Sequence, residues 1–216
     1  MSNSTTKLGL YNAAILLCRD RLLSSLTDNV EPRYLLDSVW DDGGVDACLE
    51  RGQWNFAMRT VSLDYDPSFA PGFGYRFAFG KPADWILTSA VGEEEYFRVP
   101  LTRYFDEAGF WYADLQTIFV RYVSNDAAYG ANMAMWPESF YEFVVSYFAS
   151  KIVGKTTGSD EQVEKMEKIM AKRLLIAKSR AAMADPTRFV AQGAWSRSRQ
   201  RFLNRRDGGN QGNLIG

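Results

Sequence analysis

Catalysis at neutral pH usually draws on a histidine, an activated thiol or a pair of carboxylates. This 216-residue sequence is sparing with all three. It contains no histidine, which removes Ser–His and Cys–His nucleophile pairs, a histidine general base and His-ligated zinc. Cys18 and Cys48 stand far apart and form no CxxC. A thiolate zinc site and a disulfide framework are thereby excluded, and the pair reads as two buried thiols on helices in a reducing compartment. Asp41, Asp42 and Asp46, around Gly43 and Gly44, lack the alternating ligands and closing glutamate of a calcium loop. They read as a solvated helix face, and Glu93-Glu94-Glu95 after Gly92 as a hairpin tip. Gly154-Lys155-Thr156 looks like the end of a phosphate-binding loop, but Ala149 stands where the first glycine is required and a helix precedes it instead of a strand. Gly72-Phe73-Gly74 misses the third glycine of a dinucleotide fingerprint, because Phe77 takes that place, and it reads as a bend before a strand. No catalytic, metal-binding or cofactor-binding residue is expected, and no cofactor.

Binding is better represented in the sequence than catalysis. Aromatic residues make up 14% of the chain, more than one modest core needs, and Trp and Tyr are enriched where subunits meet. The net charge of −1 is unevenly spread. From residue 186 onward the chain carries Arg188, Arg197, Arg199, Arg201, Arg205 and Arg206 against the single acid Asp207, so the preceding residues are net acidic. Phe189, Trp195 and Phe202 interleave with these arginines. That mixture favours docking on an acidic protein surface, with the aromatics as anchors and the arginines forked onto carboxylates. Nucleic-acid binding through phosphates and a plain solvated tail are the two rival readings. Residues 1–7 lack the charged-then-apolar order of a signal peptide. No stretch approaches the ~20 apolar residues of a membrane span, and the richest, residues 140–153, is interrupted by Glu142 and Lys151. A soluble protein made in the cytoplasm, without membrane contact, is expected.

The elements behind these residues follow from periodicity. Leu8, Tyr11, Ile15, Cys18 and Leu22 recur at helical steps and predict a helix over residues 7–27. A second helix begins near Pro32 and runs through Leu36, Val39, Trp40, Cys48 and Leu49, with a possible break at Gly43-Gly44, each costing ~1 kcal/mol against alanine. Beyond Trp54 the period becomes two. Val61, Leu63 and Tyr65 form one strand, Tyr75, Phe77 and Phe79 another, and residues 85–89, 96–99, 110–115 and 117–123 further ones. Together they predict a mostly antiparallel sheet or small barrel. Residues 124–135 read as a loop. Helix resumes at Pro137 with Phe140, Val144, Tyr147 and Phe148, ends at Gly154 and Gly158, and restarts from a Ser159–Gln162 capping box toward Asp185-Pro186. The predicted fold is α+β: a helical bundle of N-terminal helices (7–53) and a C-terminal helical hairpin (137–185), an inserted antiparallel β region (56–123), and an extended basic arm over 186–216. Residues 1–185 form the main domain.

At the helix-to-strand junction the chain reads Trp54-Asn55-Phe56-Ala57, then Gly72-Phe73-Gly74-Tyr75-Arg76-Phe77-Ala78-Phe79 and Pro82-Ala83-Asp84, with a later helix entered at Pro137-Glu138-Ser139-Phe140. This ordered series resembles the head-to-tail adaptor family of tailed bacteriophages, also called connector or tail tubular protein A, over roughly residues 8–185. Lys81 departs from the family pattern, which has an apolar residue before the proline. The resemblance implies a non-enzymatic virion protein at the head–tail interface, assembled in the host cytoplasm. It implies a ring of twelve copies beneath the portal protein that extends the DNA ejection channel and carries the next tail or nozzle protein, with DNA passing through the lumen without specific binding. Trp54, Asn55, Phe56, Ala57, Gly72, Tyr75, Phe79, Pro82, Asp84, Pro137 and Phe140 would be its structural residues. A portal or neighbour contact through Arg188, Phe189, Trp195, Arg197, Arg199, Arg201, Phe202, Arg205 and Arg206 is inferred from the arm's own composition. The alternative function is a nucleic-acid-binding packaging factor that uses the same arginine-rich arm.

Overall fold

The computed structural model of the chain describes residues 6–72 and 74–184. Over these residues the fold is α+β, with five α-helices and two small antiparallel sheets. Helix α1 (Lys7–Cys18) starts under Thr6, whose hydroxyl accepts the Gly9 N–H at 3.1 Å. It stops at Arg19, where φ is 61° and the N–H returns to the carbonyls of Ile15 and Leu16. The helix expected to reach residue 27 is therefore shorter. Side chains in the following stretch offer the backbone other partners. The Asp28 carboxylate accepts the N–H groups of Ser24 and Ser25 at 2.7 and 3.2 Å, and the Asn12 amide holds both main-chain groups of Leu23 at 2.8 and 3.1 Å. Leu23 is buried as a result, and Leu22, expected on the buried stripe, is exposed.

The second predicted helix is two. Helix α2 (Glu31–Asp41) has Pro32 in its first turn, and α3 (Gly44–Leu49) follows a break at Gly43, where φ is 78°. Gly44 has to be glycine for packing reasons, since a Cβ there would sit 2.5 Å from the Val39 carbonyl oxygen.

The strands are β1 (Met58–Asp64), β2 (Phe77–Gly80), β3 (Trp85–Gly92), β4 (Phe105–Glu107), β5 (Phe110–Ala113) and β6 (Thr117–Ser124). They form two three-stranded sheets, ordered β1-β6-β3 and β2-β5-β4, with every pairing antiparallel. The strand expected at 96–99 is a turn instead. Phe97 has φ 52°, its N–H bonds the Glu94 carbonyl, and its ring lies against Gly92. Strand β4 has no counterpart in the sequence pattern because all three of its residues are exposed, which leaves no alternation to detect. It reaches β5 through Ala108 and Gly109, both with positive φ, as a two-residue type I′ connection requires. Strand β5 is shorter than residues 110–115, and Tyr75 precedes β2.

Helices α4 (Glu138–Thr157) and α5 (Asp160–Ala184) meet at Gly158, where φ is 60°. Gly154, expected to help end the first of them, lies within α4. Helix α4 is the centre of the helical core. Phe140, Phe143, Val144, Phe148, Ala149 and Ile152 are all buried, and α1, α2, α3 and α5 pack around them. A second core lies between the sheets, around Phe79, Trp111, Ile118, Val120 and Tyr122. No helix among the described residues is long and apolar enough to cross a membrane.

Candidate functional site

Five residues of the motif series meet where helix gives way to sheet. Trp54 precedes a 3-10 turn, Asn55–Ala57, that carries the chain from α3 into β1. Its indole N–H donates to the carbonyls of Leu49 at 3.0 Å and Cys48 at 3.3 Å, satisfying the end of α3. Its ring meets Phe140 edge-on at 4.7 Å, and Phe56 lies 4.8 Å from the same ring. The Asn55 amide donates to the Ala181 carbonyl of α5 at 3.2 Å. Pro137 leads into α4, its carbonyl accepting the N–H groups of Phe140 and Tyr141. Beside this joint is a cavity of about 180 Å³ lined by Trp54, Phe56, Pro137, Phe140, Ala177 and Ala181, among others. Ala57 is fully buried.

The other motif residues lie in the sheet region. Phe79 is buried in the second core, while Gly72 and Tyr75 line a depression on its outer side together with Phe69 and Phe105. Pro82 starts the turn into β3, its carbonyl accepting the Trp85 N–H at 3.1 Å. Asp84 gathers three donors there. Arg59 of β1 reaches it at 2.8 Å, Tyr122 of β6 at 3.1 Å, and the buried Ser124 hydroxyl also bonds it. Burial opposes ionisation of Asp84, but the bonds from Ser124, Arg59 and Tyr122 outweigh it and hold the carboxyl below its ordinary range. The phenol of Tyr122 is pushed up to about 12, by burial and then by the Asp84 charge.

Lys81, before Pro82, is covered although it is charged. Its side chain is only 8% exposed, and its ammonium lies 3.5 Å from the centre of the Trp85 ring and pairs with Asp106. Asp106 in turn accepts the Thr88 hydroxyl at 2.9 Å and the Trp111 indole N–H at 3.2 Å.

The residues with chemical potential fall in structural roles. Cys18 and Cys48 are buried free thiols, and burial pushes both above their ordinary pKa. The Thr156 hydroxyl bonds back to the carbonyls of Ile152 and Val153 at the C-terminal end of α4, the end whose dipole disfavours phosphate. Asp46 accepts the Asn125 amide at 3.0 Å. Glu93, Glu94 and Glu95 belong to the turn after β3. Among the described residues, no group of three or more Cys, Asp or Glu is placed to hold a metal ion. Arg188, Phe189, Trp195, Arg197, Arg199, Arg201, Phe202, Arg205 and Arg206 lie outside the described residues.

No family model matches the sequence, and no curated protein matches it.

The surface itself carries a signal that periodicity missed. Large apolar side chains are exposed in several places among the described residues: Leu175, Ile176 and Met183 on α5; Leu16, Leu22, Leu26, Val30 and Tyr34 from the end of α1 to the start of α2; and Tyr65, Phe69 and Phe105 in the sheet region. Where such side chains are contiguous they mark contact sites.

Proposed function

We propose that this chain is a non-enzymatic ring subunit of a tailed bacteriophage, an adaptor that joins the portal vertex of the capsid to the tail and continues the DNA channel. The ordered series from Trp54 to Phe140 suggests the reading. The observation that carries it is the exposure of large apolar side chains at several places on one small body. A subunit that must meet two neighbours and two further components needs apolar contact surface in several places. In this reading the helices form a bundle that builds the ring wall, and the region of β1 to β6 projects from it. The arm over 186–216 docks on the portal protein or a neighbouring copy, with its arginines setting register. Twelve copies follow from the family resemblance. The acidic balance of the chain ahead of the arm suits a lumen through which DNA slides, since a basic lumen would hold the phosphates.

The test is the mass of the protein mixed with its cognate portal ring. A discrete increment of several 24.5 kDa subunits per ring supports the adaptor role, and no added mass overturns it. The six arginines from Arg188 to Arg206 favour a second reading, a packaging factor that binds nucleic acid. That reading requires tight DNA binding with a steep salt slope in a filter-binding titration.

A further inference from the structure

We propose that copies of this chain associate head to tail through two different faces: the outer stripe of α5 on one copy, and the depression between the end of α1 and the start of α2 on the next. The proposal deepens the ring-subunit reading and rests on it for its biological setting.

Helices α1 and α5 lie on opposite sides of the central helix. On one side of α4 the Phe148 ring lies 6.5 Å from Tyr11, and the Ala149 carbonyl is 3.7 Å from the Cys18 sulfur, both on α1. On the other side the Ser150 hydroxyl is 3.7 Å from the Met170 sulfur, and a Cβ on Gly154 would stand 3.5 Å from Val163, both on α5. At roughly 100° per residue, positions two apart on a helix point in nearly opposite directions. Residues 148 and 152 therefore face α1, while 150 and 154 face α5. What α1 and α5 turn away from α4 is turned away from each other.

The faces complement each other in charge and shape. Helix α5 buries Met166 and Ala177 inward, yet Leu175 is 70% and Met183 79% exposed on its outer side. Lys172 shares that outer stripe with Lys168, which pairs with Glu164 at 2.6 Å, and from residue 168 to 184 the helix has five basic residues and no acid. Across the molecule, Leu16 is 60% and Tyr34 52% exposed. In the chain between them is a depression of about 490 Å³ whose lining includes Leu22, Val30 and Pro32 with Asp20, Asp28 and Arg21. Residues 20–42 carry six acids against Arg21 and Arg33. A helix with exposed apolar side chains and a net basic C-terminal half thus matches a hollow with apolar walls in a net acidic stretch. Pairing of the α5 stripe with itself is the competing contact that cross-linking has to distinguish. Because the two faces differ, each contact leaves one face open on either copy. Association then propagates until a ring closes.

The experiment uses full-length protein with single cysteines introduced at Leu175→Cys or Met183→Cys on α5, and at Leu22→Cys or Val30→Cys on the depression. All four positions are exposed, so folding is spared, and the native Cys18 and Cys48 are buried and do not compete. A short bis-maleimide joins thiols that meet. The expected result is a dimer when an α5 variant is mixed with a depression variant, and a monomer when either is treated alone. A chain carrying one cysteine on each face should give a ladder in steps of 24.5 kDa. Lys172→Glu on the α5 partner should lower the dimer yield by about threefold at low salt. The proposal is overturned if no pair cross-links, or if α5 variants join to themselves as readily as to depression variants. Portal loading separates this result from the adaptor reading. Loading without a ladder overturns the contact and leaves the adaptor role, whereas a ladder without loading supports the contact and overturns the adaptor role.

Discussion

Asp84 ties β1 to β6 through three side chains, and its removal would leave the Ser124 and Tyr122 hydroxyls and the Arg59 guanidinium short of an acceptor at once. Asp84→Ala is expected to cost about 2–3 kcal/mol, the range for stranding buried donors, read as a shift in the urea midpoint. The same site sets a pH dependence. A carboxyl held below its ordinary value of 3.8 adds stability that is complete above that value and is lost as pH falls toward the depressed one. Asp37 acts in the same sense: burial opposes its ionisation, but Tyr11 and Lys7 overcome this. Urea midpoints taken from pH 7 down to pH 3 should therefore fall in the wild type, and fall less steeply in Asp84→Asn. Lys81 and Asp106 offer an asymmetric pair. In Lys81→Met the apolar stem still covers Trp85, and Asp106 keeps its bonds from Thr88 and Trp111, so the cost should stay below ~1 kcal/mol. Asp106→Ala leaves a nearly buried ammonium without its counter-ion and should cost about twice as much, with the double variant recovering part of the loss. Equal effects of the two single changes in thermal unfolding would refute this account.

At the scale of elements, two glycines predict opposite outcomes. Gly130 sits where β6 gives way to the loop before α4, and a Cβ there would lie 2.2 Å from the Ser124 carbonyl oxygen. The backbone itself must move to admit one, which also disturbs the bond from the Trp136 indole to the Gly130 carbonyl at 2.8 Å. Gly130→Ala is expected to destabilise by about 2 kcal/mol or more. Gly154 lies inside α4 with only ordinary contact to Val163, so Gly154→Ala should stabilise by up to ~1 kcal/mol. Differential scanning calorimetry distinguishes the two. The same contrast explains what the sequence could reveal. The break at Gly43, the alternation of β1 and the start of α4 at Pro137 each have a local cause that a residue type announces. The end of α1 does not, because it depends on Asn12 reaching Leu23 and on Asp28 capturing Ser24 and Ser25. Strand β4 shows no pattern, since its residues all face solvent. Five residues of the series, Trp54, Asn55, Phe56, Pro137 and Phe140, line one cavity, a proximity that long-range packing against α4 and α5 creates. The paired faces were not legible, because one is built on a stretch whose period suggests helix and the other on residues that stand outside the stripe of α5.

For the molecule as a whole, the division of labour between body and arm can be tested directly. Among the described residues, both cores draw on buried side chains up to Ala177, with Ala181 packed against the helical one. The two proposed lateral faces likewise lie between Leu16 and Met183. The arm, by contrast, concentrates Arg188, Arg197, Arg199, Arg201, Arg205 and Arg206 in a short span of sequence and is proposed to dock on the portal or a neighbour. Deleting residues 186–216 should therefore leave the melting temperature within a few degrees of the full chain, and should leave the cross-linked ladder of the two-face cysteine variant in place. It should abolish or greatly weaken the mass added to portal rings. A truncated chain that loads portals normally would show that the docking element lies in the body. One that loses its ladder would place the arm in the lateral contact. If instead the deletion removes tight, salt-sensitive DNA binding while portal loading is absent from the start, the arginines serve phosphates and the packaging-factor reading replaces the adaptor.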